Sequence, residues 1–437
     1  MTMIPSSSMA AFDEAWDIAR SGLPGGGWLQ EMRAVAFNRF RQLGLPSPRD
    51  EAWRYADLRP LARARFSAET EARIPDPVLL ARAALPDHEG PCLVFVNGRL
   101  SLAASRLSDL PPGMTLKGLR QTLTFGGRML EPVLAELRDG DAFDQLNTAL
   151  LSDGCLIEMK EGAGSAHPVS ILHILEGEDA KAVATRSIIR LGKGASLDLV
   201  ESFVGSDTPF FSSAIAQIDL ADGATLRLMR RQKLGEATTH VARSHVRMDA
   251  AHFAMTGLAS GGLSAREELR VALSAPGGEA SFDFAQVADG PRTLDCHVVL
   301  DHLVPDCTSR QRYRGVLGRG ARGSIESAIH VRKDAQRTDA RQHLQSLLLD
   351  RSAEANAKPE LRIHADDVVC AHGATVGEID RDQLFYLVSR GIPPERARHL
   401  LIEGFVAGLF ADLGDAALER VFLDDLAAAL SSGGQGS

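Results

Sequence analysis

Three observations on this 437-residue sequence predict a mainly β chain, with a stacked-coil solenoid between two helical regions. An Ala-x-apolar-x-apolar pattern recurs at near-constant spacing. Further alternating runs lie between its copies. Helical periodicity is confined to residues 1–150 and to the stretch beyond Asp380. The expected divisions are residues 1–150 (mainly helical), 151–374 (solenoid core) and 375–437 (helical).

In the first region, Met32, Val35, Ala36 and Phe40 place a helix over Glu31–Gln42, and Gly44-Leu45-Pro46-Ser47-Pro48 ends it. Cys92–Val96 is a short apolar run closed by Asn97-Gly98, a strand followed by a turn. Leu130–Leu137 reads as another helix. In the core, the repeat is Ala195-Ser196-Leu197-Asp198-Leu199, Ala224-Thr225-Leu226-Arg227-Leu228, Ala251-His252-Phe253-Ala254-Met255 and Ala280-Ser281-Phe282-Asp283-Phe284. Its spacings are 29, 27 and 29 residues. One such unit has no neighbour to cover its inward face, so units must stack; the pattern implies two or three strands per coil. A β-sandwich with regular turns is the alternative.

Beyond the core, Asp380 and Gln383 mark a helix N-terminus, Gly391 a stop, and Pro393 or Pro394 the next start. Leu401, Phe405, Leu409 and Ile402, Val406, Phe410 form two apolar rows. Leu418, Phe422, Leu426 and Leu430 form a third. Three helices cannot bury all of this among themselves. Some of these faces are therefore expected to meet the solenoid or another subunit, and Phe405, Leu409, Phe422 and Leu426 are the residues expected to bind a partner. The Gly-rich end, Ser431–Ser437, is expected to fray.

Composition narrows the function. A net charge of −9 makes no electrostatic case for binding nucleic acid or an anionic membrane. Met1–Ala11 lacks the pattern of a signal peptide, and no run has the length of a membrane span. Five scattered cysteines, with no Cys-x-x-Cys, argue for a reducing, cytoplasmic setting and against a zinc ribbon or ferredoxin site.

The most informative stretch is Asn356–Thr375, which alternates like a strand and carries Cys370 and His372. In an extended segment these two side chains share a face, and a thiol with an imidazole suits iron or zinc. Against this, a buried cysteine is more often a small hydrophobe, and a histidine a satisfied polar group. Cys296-His297, His302 and Cys307 mimic a zinc spacing, but on a strand Cys296 and His297 face opposite ways. Ser324, His330 and Asp334 lack the elbow of a hydrolase. Arg310, Arg312, Arg314, Arg319 and Arg322 read as a solvated face or a partner surface. No Walker-type loop is present, so ATP chemistry must come from elsewhere.

Several segments resemble the SufB/SufD family of the SUF iron–sulfur assembly system. They are Glu51-Ala52-Trp53-Arg54-Tyr55-Ala56-Asp57-Leu58, Val94-Phe95-Val96-Asn97-Gly98, the block Asp339–Ala374, and Leu384-Phe385-Tyr386-Leu387-Val388-Ser389-Arg390-Gly391. Leu344 stands where SufB chains carry an essential cysteine, and Gly373 where they carry a glutamate; both departures resemble the SufD branch. The resemblance implies a right-handed parallel β-helix and a non-enzymatic scaffold. It implies pairing with a SufB paralogue and docking of the ABC-type ATPase SufC through the C-terminal helices. Iron or a nascent iron–sulfur cluster would be held transiently, shared with SufB, with His372 as the matching family histidine and Cys370 its neighbour. A homodimer in isolation is a further expectation. A carbohydrate-active β-helix enzyme is the alternative function, weakened by 5% aromatic content and no clear carboxylate pair.

Overall fold

In the computed structural model, which describes residues 7–61, 64–67, 72–125 and 127–432, the chain coils into a parallel β-helix. Each coil lays one strand on one sheet and the next strand on the facing sheet. One sheet runs from Asp153–Met159 to Glu354–Ile363, the other from Val169–Leu175 to Val368–Gly377. Every neighbouring pair within these two spans is parallel, which excludes the β-sandwich. The coil has two strands, the lower of the two expected numbers. Both sheets also take in strands from the N-terminal region: Cys92–Val96 joins Val169–Leu175 in parallel, and Met114–Gly118 joins Asp153–Met159 antiparallel.

The repeat works as a column of inward side chains. Leu197, Leu226 and Phe253 occupy one level, and Leu199, Leu228, Met255 and Phe282 the next. All are buried. Each contributes on the order of 1.5–3 kcal/mol by leaving water. The fourth copy is shifted: Ala280 pairs with Phe253, so the position matching Ala251 is Gly278. The shift is two residues, and a strand period of two keeps Phe282 and Phe284 pointing inward. Gly194 and Gly223, ahead of the first two alanines, have φ of +62° and +68°. Their amides bond to the next coil, Gly194 to the Asp222 carbonyl and Gly223 to that of Ala250. A side chain at that backbone angle would be strained.

The interior is not wholly apolar. Arg230 is fully buried between Glu201 and Glu267. His173 stacks between Phe95 and Phe203, with centroids 5.3 and 4.5 Å away. Burial holds the His173 and His302 imidazoles down to about 4, and His240 to about 3.

The N-terminal helices Ser7–Ala19, Gly27–Leu43 and Ala142–Leu150 cover the flank of one sheet. The expected helix over Glu31–Gln42 lies inside the second, and Glu131–Ala135 within the Leu130–Leu137 segment. Phe12, Phe37, Phe40, Phe143 and Phe211 form their core. Trp53, from the Glu-x-Trp-Arg-Tyr segment, stacks on Phe143 at 4.7 Å and lies 4.2 Å from the Arg266 guanidinium. That guanidinium pairs with Glu268 and Asp295 on the outer face of the sheet. The tryptophan thus closes a charged seam from above. Two residues earlier, Glu51 reaches Lys358 at 2.8 Å, and the same ammonium meets Glu326.

The C-terminal helices Arg381–Ser389, Pro394–Ala407 and Ala416–Ser432 follow the expected caps. The Asp380 carboxylate accepts from the amides of Asp382 and Gln383, and Pro394 opens the next helix. The end expected to fray lies outside the described residues from 433 onward. Leu409, Phe422 and Leu426, expected as partner-facing, are instead buried against Val200, Met229, Leu258 and Val316 of the β-helix. Phe405 is half-buried beneath the Arg314 guanidinium, 5.3 Å from its ring. The apolar rows therefore serve this chain's own packing. Asp425 fastens the last helix, accepting from Arg231 at 2.7 Å and Lys233 at 2.5 Å. Among the described residues no helix is long and apolar enough to cross a membrane.

Two outcomes follow. Asp425→Ala strands the buried Arg231 charge, a loss of roughly 3–5 kcal/mol, so hydrogen exchange over 416–432 is expected to rise sharply while the β-helix stays protected. The buried histidines set an acid dependence. Their folded values lie below the ordinary 6.5, so as pH falls the unfolded chain protonates first. Stability is full above about 6.5 and declines by roughly 3 kcal/mol per histidine toward pH 4. Urea midpoints measured across that window should fall, and His173→Phe should flatten part of the slope.

Candidate functional site

The β-helix ends on two strands, Glu354–Ile363 in one sheet and Val368–Gly377 in the other, on which no further strand stacks among the described residues. Each leaves one row of backbone N–H and C=O groups without a ladder partner, ready to receive another chain. On the second strand, Ala340 pairs with Cys370, Gln342 with His372 and Leu344 with Ala374. Leu344 is interior, so Cys370 and His372 share its face and point into the mouth of the coil. Their common face is as expected. In an inner coil they would be sealed; on the last rung His372 is exposed and Cys370 half-buried.

The two residues differ chemically. Cys370 packs at the edge of a cluster formed by Ile329, Val331, Ala335 and Ala340. Burial pushes its thiol above the ordinary range, which disfavours a free thiolate at neutral pH. His372 has no such cover. Among the described residues no three His, Cys, Asp or Glu side chains converge as a metal site. Leu344, 1% exposed, fills the rung below with hydrocarbon.

The other sequence candidates are occupied elsewhere. Cys296 lies in the interior core, and His297 on the opposite face has Glu268, Arg266, Glu326 and Arg270 as charged neighbours. His302 bonds the Ser309 hydroxyl at 2.9 Å, and Cys307 is buried. Ser324 donates to Asp295 and His330 contacts Asp301 at 3.0 Å, so no Ser-His-Asp relay with Asp334 forms. The arginine run has an internal role. Arg312 binds Asp283 of the neighbouring strand and, at 2.8 Å, Asp412 of the tail. Arg310 reaches both carboxylates, and Arg314 covers Phe405.

One surface escaped the sequence reading. The helix Arg381–Ser389 has no buried residue, and Phe385 and Tyr386 are 74% and 57% exposed. Val369 and Val376 on the last rung are exposed as well. Apolar spacing alone ranked this helix below its longer neighbours; the unusual Phe-Tyr pair was the available signal.

Fold and last rung together define a parallel solenoid whose terminal strands carry Cys370 and His372 at their edge, with no third donor among the described residues. Residues 24–171 match the family model for the SufBD protein N-terminal region. Residues 173–405 match that for the SUF system FeS cluster assembly, SufBD core domain. The chain belongs to the SufBD family. It is 29% identical to the iron–sulfur cluster assembly protein SufD of Escherichia coli, over 89% of this chain and 90% of that protein. It is 26% identical to an iron–sulfur cluster assembly SufBD family protein of Synechocystis, over 90% and 89%. It is 27% identical to chloroplastic protein ABCI7 of Arabidopsis thaliana, over 86% and 81%.

The raised Cys370 thiol has a direct readout. Iodoacetamide at pH 7.5 should label it more slowly than a small free thiol, and urea should remove the difference. A native rate equal to the free thiol's would contradict the burial argument.

Proposed function

We propose that this chain is a SufD-type scaffold subunit that helps assemble iron–sulfur clusters in a reducing, cytoplasmic compartment. The observation that carries the reading is the exposed imidazole of His372 on an open terminal rung, with Cys370 beside it. One imidazole and one reluctant thiol cannot hold a cluster alone. A SufB paralogue, pairing along the terminal strands, would supply the remaining donors. Iron or the nascent cluster is cargo at that junction rather than a resident group. The role is positional: His372 presents a nitrogen donor where the partner's ligands arrive, and Leu344 keeps the rung below dry.

The ATPase SufC would dock on the face bearing Phe385 and Tyr386, since Leu409, Phe422 and Leu426 are committed to internal packing. The helix Arg381–Ser389 directly follows the terminal strand, so a partner that moves it also loads the rung carrying His372. Nucleotide-driven movement could reach the cargo site by that route.

Co-expression with a SufB paralogue and a SufC ATPase tests both parts. With His372→Ala, the complex should co-purify intact but with several-fold less iron and sulfide; unchanged content refutes the site. With Phe385→Ser and Tyr386→Ser together, ATPase affinity should fall at least about 30-fold, as for loss of a hot spot. Full ATPase retention would reject this docking face.

A further inference from the structure

Gln342 lies one rung below His372, paired with it in the parallel ladder and on the same inward face. Its own surroundings are unusual. The Gln342 side chain is buried, and its Nε2 donates to the Ser327 carbonyl at 3.2 Å and meets the Ser327 hydroxyl at 3.1 Å. That hydroxyl has one proton, which it gives to Gln311 Oε1. It can therefore only accept from Gln342. A carbonyl and a spent hydroxyl both demand a donor, so the amide is locked with nitrogen inward. Among the described residues its Oε1 is left buried with no hydrogen-bond partner.

An orphaned buried acceptor is costly, roughly 1–3 kcal/mol, and calls for an explanation. The rung above supplies one. His372 is its ladder neighbour, about 4.8 Å away strand to strand. Its exposed ring has room to turn, and imidazole can donate from one nitrogen while the other keeps a lone pair. We infer that Gln342 is a positioning residue: its Oε1 accepts the N–H of His372, selecting one tautomer and aiming the other ring nitrogen out of the coil mouth toward a soft or borderline cation. Ser327 and Gln311 hold Gln342 in turn. A ligand imidazole is commonly oriented in this way by an acceptor on its second nitrogen. The inference deepens the proposed role of His372 and rests on it.

The test uses three full-length proteins: the unaltered chain, Gln342→Leu and Gln342→Glu. Leucine fills the volume without an acceptor; glutamate, as the neutral acid, keeps a donor for Ser327 and an acceptor for His372. In chains labelled with ¹⁵N-histidine, with the His372 signal assigned by its loss in His372→Ala, nitrogen shifts at fixed pH report the tautomer. One tautomer should dominate in the unaltered chain and with glutamate, and a mixture should appear with leucine. In the complex with SufB and SufC, iron retention against a chelator should fall about tenfold with leucine and recover with glutamate. Identical tautomer populations in all three chains would overturn the inference and assign Oε1 to solvent. If leucine fails to fold, a mixed tautomer in the unaltered chain overturns it equally. Failure of the site itself is distinguishable: His372→Ala would leave iron unchanged while the tautomer still followed residue 342.

Discussion

Parallel stacking of coils is the constraint on which everything else in this protein depends. Each strand has an inward face that is covered only by the coils on either side, and ladder hydrogen bonds that only a neighbouring strand completes. Within the stack this closes perfectly, as the Leu197–Leu226–Phe253 column shows. At an end it cannot. The first coil is closed by strands borrowed from the N-terminal region, Cys92–Val96 and Met114–Gly118. Among the described residues the last coil has no such cover, so Cys370 and His372, on the inward-facing side of its strand, stand at an open mouth.

The appendages are fastened by charge as well as by apolar packing. Outward-facing arginines of the sheets meet carboxylates brought by the helices: Arg312 with Asp412, Arg231 with Asp425, Arg243 with Asp141 and Asp144. The buried pairs among these, Arg231 with Asp425 and Arg243 with Asp144, do little for net stability, because desolvation offsets the attraction. They are intolerant of misplacement, however, and so fix where each helix sits. That precision suits the proposed scaffold role, since the helical tail begins immediately after the rung bearing His372.

Much of this was legible in the residues. Alternation with a 27–29-residue spacing announced stacked coils, and the Cys370-x-His372 spacing announced a shared face. The slip at Ala280 shows the limit of pattern reading: a two-residue shift preserves the inward face, so alternation cannot reveal it. The tail shows another limit. Leu409, Phe422 and Leu426 have the spacing of a docking face, yet spacing states only that a face is apolar, not what covers it. Phe385 and Tyr386 are a weaker pattern on a shorter helix, and they are the ones left bare.

What the sequence by itself determined was periodicity: which side chains share a face, where helices begin and end, and which chemistry-bearing residues are neighbours along the strand. These are local properties, set by backbone geometry over a few residues. Only the tertiary structure decided burial. Whether His372 is sealed or open, whether Leu426 meets solvent or strand, and whether Gln342 finds a partner all depend on residues far along the chain. The physical reason is that accessibility belongs to the packed assembly, and a pattern of spacing carries no record of what will lie across from it.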